Sequence, residues 1–198
     1  MIETVKKTVK AYLARNPHEA AGLRALQAQL ADDRDIFLRS NMRGHLTSSM
    51  LVLDETRARV LVIHHKAYNR WLPPGGHAEQ PCSLFDSALR EAEEETGVTD
   101  LNCPGAWSLA PIPLDINTHA IAAQQRKNEG KHWHHDFVYL GMVDEPYDPV
   151  PQIEEVHSCR WLDLAEFAND PDETNQRLAR KVQPLIAAGM LPRARALA

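Results

Sequence analysis

Hydrophobic residues recur at helical spacing near the start of the chain. The spacing of three and four residues predicts amphipathic helices over residues 1–40, with a break at Asn16-Pro17. The positions that carry this pattern are Val5, Val9, Tyr12, Leu13, Leu23, Leu26 and Leu30. We therefore expect an N-terminal helical extension over residues 1–40.

After residue 45 the pattern changes to short apolar and β-branched runs, which predict strands separated by turns. The predicted strands are 46–53, 60–65, 106–110, 116–123, 135–142 and 156–163. Helical spacing returns at 84–96, 164–168 and 174–188, whereas 71–76 and 124–131 have the composition of loops. Strands and helices do not alternate regularly, so we expect an α+β fold with helices packed on a mixed sheet.

Composition narrows the class of function. The 198 residues contain 22 Lys and Arg against 27 Asp and Glu, a net charge of −5 without a basic block, which argues against duplex nucleic acid and anionic membranes as partners. The three cysteines are scattered, and no apolar run has the length of a signal or membrane segment. We expect a cytoplasmic protein with reduced thiols.

One predicted helix contains a group of acidic residues that could bind a metal ion. Ser83 and Asp86 have capping-box spacing, and Gly97 ends the helix. On a helical projection Glu91, Glu94 and Glu95 border the buried face. An acidic run is usually a solvated surface, but carboxylates this close repel one another unless a cation lies between them. Together with carbonyls of the preceding Pro-Pro-Gly-Gly loop, they would suit Mg²⁺ or Mn²⁺.

The spacing of this segment resembles the signature of the Nudix hydrolases. That signature is Gly, five residues, Glu, seven residues, Arg-Glu, an apolar residue, any residue, Glu-Glu, any residue, Gly and an apolar residue. Two positions depart from it, since Cys82 replaces the first Glu and Ala92 is a small apolar residue. The matching residues are Gly76, Arg90, Glu91, Glu94, Glu95, Gly97 and Val98.

The resemblance implies an α/β/α sandwich with a mixed sheet in a Nudix hydrolase domain over 41–170, followed by a C-terminal helix and tail over 171–198. It also implies hydrolysis of a nucleoside diphosphate linked to another moiety. Glu91, Glu94, Glu95 and the Gly76 carbonyl would bind Mg²⁺ or Mn²⁺, and Arg90 would orient Glu94. A metal-activated water would then attack phosphorus.

The general base is not fixed by the signature. Glu91 is one candidate, and Glu154 and Glu155 before the last strand are the others, because a carboxylate near the metal can take a proton from water. As an alternative, Glu154 and Glu155 form an acidic surface pair.

Several residues are candidates for contact with the substrate. On a strand His132 and His134 share a face, a spacing that suits either a zinc ion or a pyrophosphate. We favour histidines that line the pocket, with His77 and His134 as substrate contacts. Trp71 could stack on a base, as could Tyr68 and Trp133, although aromatic residues of this kind commonly belong to the core.

Three alternatives remain open at this stage. Isomerase chemistry on a prenyl diphosphate would need a cysteine and a glutamate in the pocket, and Cys82 is the cysteine near the signature. A ligand-sensing Nudix domain would be expected to lose metal ligands, whereas this chain keeps all three glutamates. The N-terminal helices could also form a homodimer interface.

Overall fold

The computed structural model describes residues 1–32, 35–78, 81–104, 111–123, 129–152, 154 and 156–191. The helices are α1 (Ile2–Arg15), α2 (Arg24–Asp32), α3 (Leu84–Thr96), α4 (Leu164–Ala168) and α5 (Glu173–Ala187). The strands are β1 (His45–Leu53), β2 (Arg59–His65), β3 (Arg70–Leu72), β4 (Gly75–His77), β5 (Asp115–Ile121), β6 (His132–Met142) and β7 (Val156–Asp163).

The strands form one mixed sheet in the order β3-β2-β1-β6-β5, with β4 paired to β1 and β7 paired to β2. β1 pairs in parallel with β6 along the whole of β1, from His45 opposite His134 to Leu53 opposite Met142. The other strand pairs are antiparallel. The mixed sheet predicted from the sequence is confirmed.

Helices cover both faces of the sheet because alternate residues of β1 point to opposite sides. Leu46, Met50 and Val52 belong to a core shared with α1, α2 and α3. Leu51 and Leu53 belong to a second core shared with α4 and α5. The structure is therefore the expected α/β/α sandwich.

The N-terminal helices turn their apolar faces toward the core of their own chain. Gln29 of α2 is buried, donates to the Gly44 carbonyl at 2.7 Å and contacts His135 Nε2 at 3.1 Å. At the β5 edge, Lys181 of α5 lies 2.6 Å from Asp115 and also contacts Tyr12 of α1. These polar contacts connect the helical extension to the sheet and to the last helix.

Three predicted segments differ from the structure or lie wholly or partly outside it. Residues 71–76, expected to be loop, contain the end of β3 and the start of β4, because Gly75 and Gly76 pair with Ser49 and Ser48 of the distant β1. The predicted strand 106–110 and residues 124–128 of the predicted loop lie outside the described residues. Within the described residues, no helix is long and apolar enough to cross a membrane.

Candidate active site

A cleft with a volume of about 1180 Å³ brings most of the predicted site residues together. Its walls come from α3, β4, β5, β6 and the segment before β7. Eight of the residues that the sequence singled out line it, namely Tyr68, Gly76, His77, Arg90, Glu91, Glu94, His134 and Glu154. Residues far apart in the sequence thus face one cavity.

The carboxylates of α3 lie between the helix and β4. The helix has the predicted bounds, and Ser83 Oγ caps it by accepting from the Asp86 backbone at 3.1 Å, while Gly97 ends it at a φ of 71°. Glu91 is 8% exposed and Glu95 is 1% exposed, whereas the Glu94 side chain is about half exposed. Such burial of two acids is unusual for a solvated charge run and indicates that they have partners.

Those partners are Arg90 and the backbone of β4. Arg90 donates from Nη1 to Glu94 Oε2 at 2.6 Å and from Nη2 to Glu91 Oε1 at 2.8 Å. The backbone N–H of Gly75 donates to Glu95 Oε2 at 2.9 Å. One guanidinium therefore holds two of the three carboxylates, and the start of β4 holds the third.

At Gly76 the backbone of β4 lies directly against the Glu91 side chain of α3. A Cβ at this residue would lie 2.5 Å from both Cδ and Oε1 of Glu91. The missing side chain leaves room for the Glu91 carboxylate directly against the backbone of β4. Carboxylate and carbonyl oxygens together are the hard donor set that Mg²⁺ and Mn²⁺ prefer, so the residues present fit such an ion.

The three candidates for the general base differ in their positions and partners. Glu154 lines the cleft, and its backbone carbonyl accepts a hydrogen bond from Lys66 at 3.1 Å. Glu91 is paired with Arg90, as described above. Glu155 lies outside the described residues.

Histidines from four strands meet at one end of the cleft. One of them is His119 of β5, whose ring centroid lies 5.7 Å from that of His134. In β6 His132 and His134 point to the same side, as the spacing predicts, with their Nε2 atoms 3.2 Å apart. His45 of β1 and His77 of β4 join them, with ring centroids 4.7 Å and 5.5 Å from that of His134. Burial first, and the neighbouring imidazoles next, lower the pKa of His134 to about 2, so its ring is neutral at pH 7.

His135 points to the opposite side of β6. Its ring nitrogens contact Thr118 Oγ1 at 3.0 Å and Gln29 Oε1 at 3.1 Å. Burial lowers the pKa of His135 to about 4. This histidine supports the packing of α2 and does not belong to the group in the cleft.

The sequence analysis did not single out His45 or Asp136. Asp136 lines the cleft and accepts hydrogen bonds from Thr47 at 3.0 Å and Ser49 at 3.1 Å, while burial raises its pKa to about 6. The alternation of β6 could have identified Asp136, because it lies two residues after His134. His45 could not be found this way, since its place depends on the register of β1 with β6.

The three aromatic candidates are placed differently from one another, and one of them lies in the cleft. Trp71 packs beside the α5 core with the Arg160 guanidinium 4.4 Å from its ring, and it is not among the described residues that line the cleft. Trp133 is an exposed residue of β6. Tyr68 does line the cleft, with Arg70 over its ring at 5.5 Å. The register of β3 with β2, which sequence spacing does not reveal, places Trp71 beside His64.

This chain was compared with known proteins. It matches one family model and resembles relatives of two kinds, a pyrophosphohydrolase and an isomerase. The family model described as NUDIX domain matches residues 44–183. A probable DHNTP pyrophosphohydrolase from Lactococcus lactis is 32% identical over 117 residues, which are 59% of this chain and 66% of that protein. An isopentenyl-diphosphate Delta-isomerase from Cereibacter sphaeroides is 26% identical over 165 residues, covering 77% of this chain and 84% of that protein.

Two other curated relatives are longer, and the chain spans 44% and 38% of their length. Among solved structures, the dihydroneopterin triphosphate pyrophosphohydrolase of E. coli superposes with a TM-score of 0.54. The match covers 69% of this chain and 92% of that chain at 16% sequence identity. At this identity the likeness concerns the fold alone.

Proposed function

The chain belongs to the Nudix family, and we propose that it hydrolyses a phosphoanhydride bond in a nucleoside diphosphate linked to a second group. The observation that carries the proposal is the placement of Glu91 and Glu94 beside Gly76 in the wall of one large cleft. A buried group of acids facing a cavity of this size suits an anionic substrate only when a cation is present.

A divalent ion, Mg²⁺ or Mn²⁺, would be held by Glu91, Glu94, Glu95 and the Gly76 carbonyl. When bound, it would supply positive charge to the phosphate oxygens and lower the pKa of the attacking water. Arg90 keeps Glu91 and Glu94 in fixed positions through the two hydrogen bonds described above. Fixed ligands reduce the reorganisation that the reaction requires.

Glu154 is the general base that the cleft supports best. Glu154 lines the cavity from the segment before β7, whereas the Glu91 carboxylate already accepts a hydrogen bond from Arg90. A carboxylate in this place can take the proton from water as the new P–O bond forms, and the nucleoside phosphate leaves. Tyr68 and Arg70 line another part of the cleft and would contact the organic group or a phosphate.

Isomerase chemistry on a prenyl diphosphate is the competing enzyme function, because one relative is an isopentenyl-diphosphate isomerase. That chemistry needs a cysteine in the pocket. Cys82 is exposed and lines a different, small cavity of about 160 Å³ next to Met1 and Leu84. The position of Cys82 therefore favours hydrolysis.

The experiment is a substrate screen on the purified chain. Nucleotide sugars, dinucleoside polyphosphates, coenzymes, CDP-alcohols and dihydroneopterin triphosphate are incubated with Mg²⁺ or Mn²⁺, and released phosphate is measured after a coupled phosphatase. Isopentenyl diphosphate is included, with its products separated by chromatography. We expect hydrolysis of at least one nucleotide, abolished by EDTA and restored by Mg²⁺ or Mn²⁺.

Two results would contradict the proposal. Tight binding of a nucleotide without turnover, measured by calorimetry, would indicate a ligand-sensing domain. Conversion of isopentenyl diphosphate without phosphate release would indicate an isomerase.

A further inference from the structure

Three strands bring a group of histidines to the end of the cleft beside the carboxylates. His45 begins β1, His77 ends β4 and His134 lies in β6. We propose that His45, His77 and His134 form a second metal site, one that takes a zinc-type transition-metal ion and is separate from the carboxylate site. This site does not depend on the proposed function, because it could hold its ion whatever reaction the cleft performs.

The spacing of the three imidazoles suits one ion. One ring nitrogen from each residue lies within 4.8 Å of the corresponding atoms of the other two. Tetrahedral zinc with nitrogen ligands at about 2.1 Å requires ligand atoms about 3.4 Å apart. The ligand nitrogens therefore need to approach one another by up to about 1.4 Å, which side-chain rotations can provide. Imidazole is also a softer ligand than carboxylate and suits zinc better than magnesium.

His45 shows the feature expected of a ligand awaiting its ion. The residue is 1% exposed, and its Nε2 is a buried atom without a hydrogen-bond partner among the described residues. Its other nitrogen, Nδ1, lies 3.4 Å from the Asn41 carbonyl, which can only accept a hydrogen bond. Nδ1 therefore carries the proton, and the lone pair is on Nε2. A buried lone pair without a donor is unfavourable unless a cation binds it.

Hydrogen bonding to His132 determines which ring nitrogen of His134 carries its proton. The Gly130 carbonyl accepts from His132 Nδ1 at 2.8 Å, so neutral His132 has its lone pair on Nε2. His134 Nε2 lies 3.2 Å from that atom and must supply the proton between them. Neutral His134 then carries its lone pair on Nδ1, available to a metal. Histidine ligands usually donate their second N–H to such a neighbour, so His132 is a positioning residue.

The sheet holds the three ligands in a fixed relation. His45 is opposite His134 in the parallel β1–β6 pair, and His77 is opposite Thr47 in the β1–β4 pair. Ligands on paired strands are more rigid than ligands on loops, which favours a preorganised site.

The fourth coordination position would face the cleft, since His77 and His134 line it. Three histidines with one open position are typical of zinc sites that bind water or an oxygen of the substrate. Because His77 follows Gly76 directly, this ion would lie close to the carboxylate site. Its role in the reaction, unlike the site itself, rests on the proposed function: a phosphate oxygen of the substrate would occupy the open position, and His77 and His134 would contact the substrate through the ion.

The test measures zinc in the full chain. The protein is purified without chelators, dialysed against zinc-free buffer containing excess Mg²⁺, and analysed by mass spectrometry of its metals. We expect about one zinc ion per chain, as a three-ligand site predicts. His45→Asn and His77→Asn should each lower zinc affinity by more than the roughly 10–100-fold that loss of an orienting residue causes, and His132→Asn should fall within that range.

Two matched variants exclude other sources of zinc. Glu94→Gln removes a carboxylate from the other site and should keep its zinc, and His157→Asn removes a histidine outside the group and should also keep it. Apo-protein titrated with Co²⁺ should develop the visible absorption of a tetrahedral complex, and His45→Asn and His77→Asn should lose it. If His45→Asn does not fold, as judged by circular dichroism, His77→Asn in a half-buried position decides the result.

Three outcomes would overturn the proposal. Wild-type protein could retain no zinc and give no tetrahedral Co²⁺ spectrum. His77→Asn could keep zinc at wild-type affinity. Zinc could disappear from Glu94→Gln, which would place the ion among the carboxylates.

Discussion

Replacing Gly76 with alanine tests whether β4 and α3 form one site. The new Cβ would lie 2.5 Å from Cδ of Glu91 and 2.7 Å from its Oε2. Carbon atoms in contact prefer separations of about 3.5–4.0 Å, so the carboxylate must retreat by about 1 Å. That movement also disturbs the 2.8 Å hydrogen bond that Glu91 accepts from Arg90.

The expected effect is large on catalysis and small on stability. A misplacement of 1 Å in a catalytic group lowers activity by about 10²-fold, so kcat/KM should fall by about that factor. The clash involves the end of a flexible side chain, and overpacking of this kind costs about 1–3 kcal/mol. Each kcal/mol lowers Tm by about 2–4 °C in a chain of this length. The assay is kcat/KM on the best substrate with Mg²⁺, together with thermal unfolding.

Two other glycines provide the controls. Gly22→Ala should leave both measurements unchanged, because its Cβ meets no described atom closer than the Glu19 carbonyl at 3.5 Å. Gly75→Ala should lower Tm much more than Gly76→Ala, because its Cβ would lie 2.8 Å from the Ser48 backbone carbonyl. Wild-type kcat/KM in Gly76→Ala would refute the reasoning, since Glu91 could then move without consequence.

Three further predictions concern other parts of the molecule. Cys82→Ser should have nearly wild-type activity and Cys82→Glu should bind Mg²⁺ modestly more tightly; a folded but inactive Cys82→Ser would point to thiol chemistry. Glu154→Gln should lower kcat by about 10²-fold or more with little change in KM, and an unchanged kcat would leave Glu91 and Glu155 as candidates for the base. Burial alone would raise the pKa of Asp54, but hydrogen bonds from the Arg59 side chain and backbone lower that pKa below its usual value. The ionised carboxylate therefore stabilises the fold above about pH 4, and this stabilisation is lost as the pH falls. Asp54→Asn should cost about 2–4 kcal/mol at pH 7 and flatten the decline of stability below about pH 4 in urea unfolding, and an unchanged decline would contradict this assignment.

Local signals predicted the helix of the site correctly. The spacing of Ser83, Asp86 and Gly97 gave α3 its bounds, and the helical projection placed Glu91 and Glu95 beside the buried face. These features depend on neighbours within a few turns, which the sequence displays directly. The resemblance of the same segment to the Nudix signature then supplied the sandwich fold.

Long-range pairing was not visible in the sequence. The Pro-Pro-Gly-Gly segment has the composition of a loop, yet its glycines extend into β4 because β1 offers a strand edge to pair with. His45 joins His134 only through the parallel register of β1 and β6. Trp71 carries no signal that distinguishes the cleft from the α5 core, so its expected stacking role does not match its position.

The kcat of Glu94→Gln and Glu95→Gln on the best substrate, at saturating Mg²⁺, tests the central claim most directly. Each substitution keeps the shape of the side chain but removes the charge that would hold the divalent ion. We expect both variants to fold, with Tm values near that of the wild type, and to lose orders of magnitude in kcat, because in the proposed reaction the cation would supply most of the charge stabilisation. Hydrolysis by either variant at a rate near that of the wild type would contradict the assignment of the site.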